Sequence, residues 1–168
     1  GLQDCSDNDI IIISDCDEIV KKEVVQSYSP EENGVAAIEM DLYYYTKELK
    51  ADKKWYKARM LPYSILREHS PQYFRGEGDY SYNTIIPNGG WHYSFYGNAD
   101  QIREKLSSYG HEEFNNDNFN NLKHIQNCID TGKDLFGRDI TFTKQTPERN
   151  YKVYDCFSFF NELDILEI

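Results

Sequence analysis

The residues with the clearest chemical potential lie near the start of the chain, in the run Ser14-Asp15-Cys16-Asp17-Glu18. Asp15 and Asp17 are two positions apart. An extended backbone turns both side chains to one face, where they can share a cation. Carboxylate oxygens are hard ligands suited to Mg2+ or Mn2+, ions that also take substrate phosphates as ligands. Such an ion works as a Lewis acid on a departing diphosphate. Asp-x-Asp alone is common in acidic chains, and a solvated acidic turn is the competing reading.

Three further groups carry chemistry. Trp91 and His92 follow Gly89 and Gly90, a pair that reads as a loop with close backbone approach. Trp91 offers a flat apolar face to a sugar ring. His92 is a metal ligand or hydrogen-bond donor in that reading, and a satisfied histidine in a buried aromatic corner in the other. His111, Glu112 and Glu113 form a compact polar set in which His111 and Glu113 can share a face, against the plainer reading of a charged helix end. Lys105, Lys133 and Arg138 are available as phosphate partners, with surface solvation the ordinary alternative.

The elements that must position these groups read as alternating strands and short helices, an α/β pattern. Ile10-Ile11-Ile12-Ile13 is a continuous β-branched run, the pattern of a strand buried on both faces of a parallel sheet. The acidic run follows it directly, and ligands in open α/β sheets bind at the carboxyl ends of strands. Strands are also expected over residues 35–45, 55–62, 84–86, 140–143 and 151–160. Residues 47–54 read as a charged, solvated connection. Helices are expected over 19–26, 64–69, 99–108 and 122–131, the last closed by Gly132 as a C′ glycine.

Size and composition bound the rest. The chain has 168 residues, 39% of them hydrophobic, enough for one packed domain. A net charge of −11 repels phosphate backbones and sets nucleic acid aside as a partner. No stretch approaches the ~20 apolar residues of a membrane span. The four cysteines, Cys5, Cys16, Cys128 and Cys156, include no CxxC pair, so they read as free thiols of a reducing compartment rather than a zinc site.

Four blocks, taken together, resemble glycosyltransferase family 17. The first runs from Gly1-Leu2 through Asp9 and the isoleucines to Asp15-Cys16-Asp17-Glu18-Ile19. The second is Gly89-Gly90-Trp91-His92-Tyr93-Ser94-Phe95-Tyr96-Gly97. The third is Ile102, Lys105-Leu106 and Tyr109-Gly110-His111-Glu112-Glu113, and the fourth is Gly132-Lys133-Asp134-Leu135-Phe136-Gly137-Arg138. The resemblance implies a GT-A-like (Rossmann-like) nucleotide-sugar domain, partial or permuted. It implies metal-dependent, inverting transfer of a GlcNAc-like sugar from a UDP-sugar donor to a glycan acceptor. On that footing Asp15, Asp17 and His111 hold Mn2+ or Mg2+, and Glu113 is the base on the acceptor hydroxyl, with Glu112 as alternate. Trp91, His92, Lys105 and Arg138 bind substrate. The alternative is a non-catalytic carbohydrate-binding module derived from the same fold.

The resemblance divides the chain at residue 145. Residues 1–145 are similar to the C-terminal portion of the family's catalytic domain. Residues 146–168, with Tyr151-Lys152-Val153-Tyr154 leading into an apolar strand and, from Asn161, the start of a helix, resemble its beginning. A tandem junction, a circular permutation or a fragment fits that order, and a tandem module or second chain would complete the fold. A bacterial or viral cytoplasmic setting is favoured slightly over a Golgi lumen.

Overall fold

The computed structural model describes residues 2–76, 82–108 and 114–146. The strand and helix start expected over 151–168 lie outside the described residues, as do His111, Glu112 and Glu113. Among the described residues, seven strands form one mixed sheet. They are β1 (Ile10–Ile13), β2 (Glu18–Val20), β3 (Ala36–Tyr44), β4 (Leu49–Trp55), β5 (Arg59–Pro62), β6 (Thr84–Ser94) and β7 (Phe142–Lys144). The helices are α1 (Lys22–Ser27), α2 (Pro30–Asn33), α3 (Tyr63–Leu66), α4 (Pro71–Arg75), α5 (Ala99–Ser108) and α6 (Leu122–Thr131).

β3 is the spine. On one edge it pairs in parallel with β6, and β6 in turn pairs antiparallel with β2. On its other edge it pairs antiparallel with β5 and β4, which carry β1 and β7. Residues of β3 alternate between faces. Ala36, Ile38 and Met40 join Val24 of α1 in one core cluster, and Leu42 and Tyr44 join Ile102, Leu106, Ile125 and Cys128 of α5 and α6 in another. The opposite face of the β1–β5 pair is closed by Leu66 of α3 and Phe74 of α4, packed on Val35 and Leu61. Helices therefore cover both faces, as the α/β pattern requires.

Several elements differ from the sequence reading. The helix expected over 19–26 begins only at Lys22, because residues 18–20 pair with β6 as β2, and the strand expected over 55–62 is interrupted at residues 56–58. β1 is not a strand buried in a parallel sheet. It pairs only with β5 among the described residues, antiparallel, and Ile10 and Ile12 are more than a third exposed while Ile11 and Ile13 pack on the α3–α4 cluster. Residues 49–55 are strand β4 rather than a solvated connection, because Lys50 and Lys54 both pair with Asp41 on the neighbouring strand. The Gly89-Gly90 loop is the middle of β6, an 11-residue strand. α5 and α6 form where expected, and Gly132 closes α6 with a left-handed backbone, φ 62°.

Candidate functional site

The acidic run is the connection between β1 and β2. Those strands lie on opposite sides of β3, so residues 14–17 must cross from one side of the sheet to the other. The crossing is pinned at its far end by the backbone. Asp17 accepts from the Tyr93 amide at 2.9 Å, and the Glu18 amide donates to the Asp15 carbonyl at 3.0 Å. Tyr93 is the penultimate residue of β6. Asp17 therefore sits at the carboxyl end of the parallel pair β3–β6, where α/β sheets bind ligands. Both strands of that pair run into a residue with left-handed backbone, Tyr45 (φ 61°) and Phe95 (φ 49°). Bulky side chains rarely adopt that conformation, and it concentrates at functional sites.

Glu18 lies directly opposite His92 in the β2–β6 register, and its side chain is wholly buried. Its carboxylate accepts from the Trp55 indole N–H, from Arg75 Nη1 at 2.7 Å and Nη2 at 3.1 Å, and from the Asp15 amide at 2.9 Å. Arg75 also donates to the Asp15 carboxylate and reaches the carbonyls of Ile13 and Lys57. Burial opposes the Arg75 charge, but the bonds to Glu18 and Asp15 outweigh it and hold the guanidinium above its ordinary pKa.

Asp17 faces a second cation. Lys105 of α5 donates to Asp17 Oδ2 at 2.7 Å and lies 5.1 Å from the centre of the Phe95 ring. His92 Nε2 is 3.7 Å from the same oxygen, too far for a hydrogen bond. The His92 ring packs edge-on against Trp55, and its buried Nδ1 has no hydrogen-bond partner among the described residues. Burial pushes the imidazole below its ordinary pKa, against the opposing pull of Asp17 and Glu18.

The structure thus brings together four of the residues singled out in the sequence: Asp15, Asp17, His92 and Lys105. Trp91 is separated from them by the strand's own geometry. Neighbours in a strand point to opposite faces, so Trp91 stands opposite Ile19 and beside Asp41, under the Lys21 ammonium at 5.0 Å, on the face away from His92. No hydrogen bond or ion pair links Arg138 to the acidic run. It is gripped by Asp134 through two nitrogens and donates to the Tyr44 hydroxyl at 2.6 Å. Two members of the cluster, Arg75 and Trp55, were not singled out. Nothing local marks them, because they meet Glu18 from 57 and 37 positions away.

Among the described residues, no three His, Cys, Asp or Glu side chains are placed to hold a metal ion by themselves. What the acidic run offers is a pair of carboxylates, one of them, Asp15, well exposed. That donor set fits the kind of divalent-ion site in which one or two carboxylates share the ion with a substrate's phosphates.

The sequence matches glycosyltransferase family 17 over residues 2–139, most of its length. The chain belongs to that family. Glycosyl transfer is therefore its chemistry, and a sugar donor and an acceptor are its substrates. No characterised protein and no solved structure matches this glycosyltransferase closely enough to refine that statement. Among the described residues, none of its helices is long and apolar enough to cross a membrane.

Proposed function

We propose that this glycosyltransferase moves a GlcNAc-like sugar from a UDP-sugar to a glycan acceptor, with inversion at the anomeric carbon and with help from Mn2+ or Mg2+. The observation that carries the proposal is Asp17. It is fixed at the carboxyl end of the parallel strand pair, with a lysine on one oxygen and an imidazole beside it. Asp15 and Asp17 would hold the ion together with the donor diphosphate. The ion, when bound, neutralises charge on the departing group. Lys105, which pairs with Asp17 here, would offer its ammonium to the diphosphate as a charged donor. His92, held neutral by burial, is a hydrogen-bonding partner rather than a second cation.

On this reading Glu113 takes the proton of the acceptor hydroxyl, with Glu112 as the alternate. The acceptor oxygen then forms its bond to the anomeric carbon from the side opposite the diphosphate, whose bond to that carbon breaks. The electron pair of the broken bond leaves on UDP. His111 is assigned to the metal or the diphosphate.

The test is UDP release from UDP-GlcNAc in the presence of Mn2+ and an N-glycan acceptor. Release is expected to need both, and to fall by at least about 100-fold in Asp17→Ala, the scale of losing one preorganised electrostatic contact. Glycan binding with no UDP release under any metal would instead favour a carbohydrate-binding module.

A further inference from the structure

We infer that Glu18 and Arg75 are the positioning pair of the donor site, although neither touches the reacting atoms. The inference rests on the reading that Asp15 and Asp17 meet the donor diphosphate. Glu18 belongs to the acidic run by sequence, yet it is not free to bind a ligand. Its side chain is wholly buried, and both carboxylate oxygens are occupied by Trp55, Arg75 and the Asp15 amide. The carboxylate thus ties together β2, the crossing loop, β4 and the end of α4. An arginine is suited to such a post, because its planar fork can serve two carboxylates with fixed geometry. Here Nη1 is committed to Glu18 and to the carbonyls of Ile13 and Lys57, while Nη2 spans Glu18 and Asp15. Asp15 is mostly exposed, so Arg75 is its only ion-pair partner among the described residues and sets its direction.

Charge balance gives the pair a second consequence. Asp15, Asp17 and Glu18 carry three negative charges against two positive ones on Arg75 and Lys105. Arg75 cannot leave, since removing one partner of a buried pair leaves an uncompensated charge. With Asp15 turned to a ligand, Arg75 would keep its bonds to Glu18 and so hold the crossing loop in place.

The test uses the full chain, with UDP and Mn2+ as probes, and records thermal unfolding beside calorimetric affinity. Arg75→Lys keeps a cation beside Glu18, so the unfolding temperature should stay near that of the wild type. A single ammonium cannot reproduce the fork, and UDP affinity in Mn2+ should fall about 10- to 100-fold, the usual loss when a group orienting metal ligands is replaced. The double variant Glu18→Gln with Arg75→Met removes both buried charges and should show the same loss in molecules that are folded. A purely structural pair would lower the folded fraction without changing the affinity of the folded molecules. Wild-type affinity in either folded variant overturns the inference. Wild-type protein that binds no UDP with Mn2+ overturns the donor-site reading itself, and that result is seen before any variant is made.

Discussion

Glu18 and Asp134 are carboxylates that solvent hardly reaches, and an arginine holds each of them. Asp134 accepts from the Phe136 and Arg138 amides and from the Arg138 side chain. Burial raises its pKa, but those bonds outweigh burial and hold the carboxyl below the usual range. A depressed folded-state value contributes stability that is present above the unfolded pKa of about 4 and is lost as pH falls through the folded value. The unfolding temperature of the wild type is therefore expected to fall as pH drops below about 4. Asp134→Asn should cost about 1–3 kcal/mol at neutral pH and flatten that acid limb, and unchanged acid sensitivity would contradict the assignment. At this scale the sequence is a partial guide. Asp15, Asp17, His92 and Lys105 are legible as types that do chemistry, and the structure assembles them. Arg138 is equally legible as a phosphate-binding type, but its fork is occupied by a carboxylate four residues away. Arg75 carries no local signal, since its role depends on folding distant segments together.

Gly90 is where element geometry and site geometry meet. A Cβ there would lie 2.3 Å from the Ile19 carbonyl, a backbone atom of the paired strand that cannot turn aside. Gly89 has a similar constraint against the Ile38 side chain, at 2.5 Å. Two adjacent glycines read as a loop in sequence, yet here they mark close approach inside a strand. Gly90→Ala should cost about 1–3 kcal/mol, as overpacked interiors do, and should move β2 and with it Asp17. The check is denaturant unfolding alongside UDP binding, with loss of both expected. Wild-type stability in Gly90→Ala would show that β2 does not pair as described. At the helix α6, Asn121 caps the Lys123 and His124 amides, so Asn121→Ala should cost about 1 kcal/mol and leave UDP binding unchanged. Helices with clear caps and periodicity were readable from local residues. The strands were less so, because pairing decides them. Among the described residues, the four isoleucines of β1 belong to an edge, and Lys50 and Lys54 of β4 are neutralised by Asp41, across the sheet.

Among the described residues, the molecule is a mixed sheet with helices on both faces and one parallel pair, β3–β6, whose carboxyl end gathers the acidic run, Lys105 and His92. The α/β class was legible because apolar runs alternate with helical periods. The crossing of residues 14–17 over the spine was not, because it depends on which edge of β3 each strand takes. This crossing is the proposed seat of the donor diphosphate and a divalent ion. Paramagnetic Mn2+ added with UDP to isotope-labelled protein tests it most directly, since the ion erases the amide signals nearest to it. Broadening that requires UDP and centres on Asp15, Asp17, His92 and Tyr93 is the result expected, with its loss in Asp17→Ala. Broadening centred on other residues, or none when UDP is added, would contradict a donor site at this crossing.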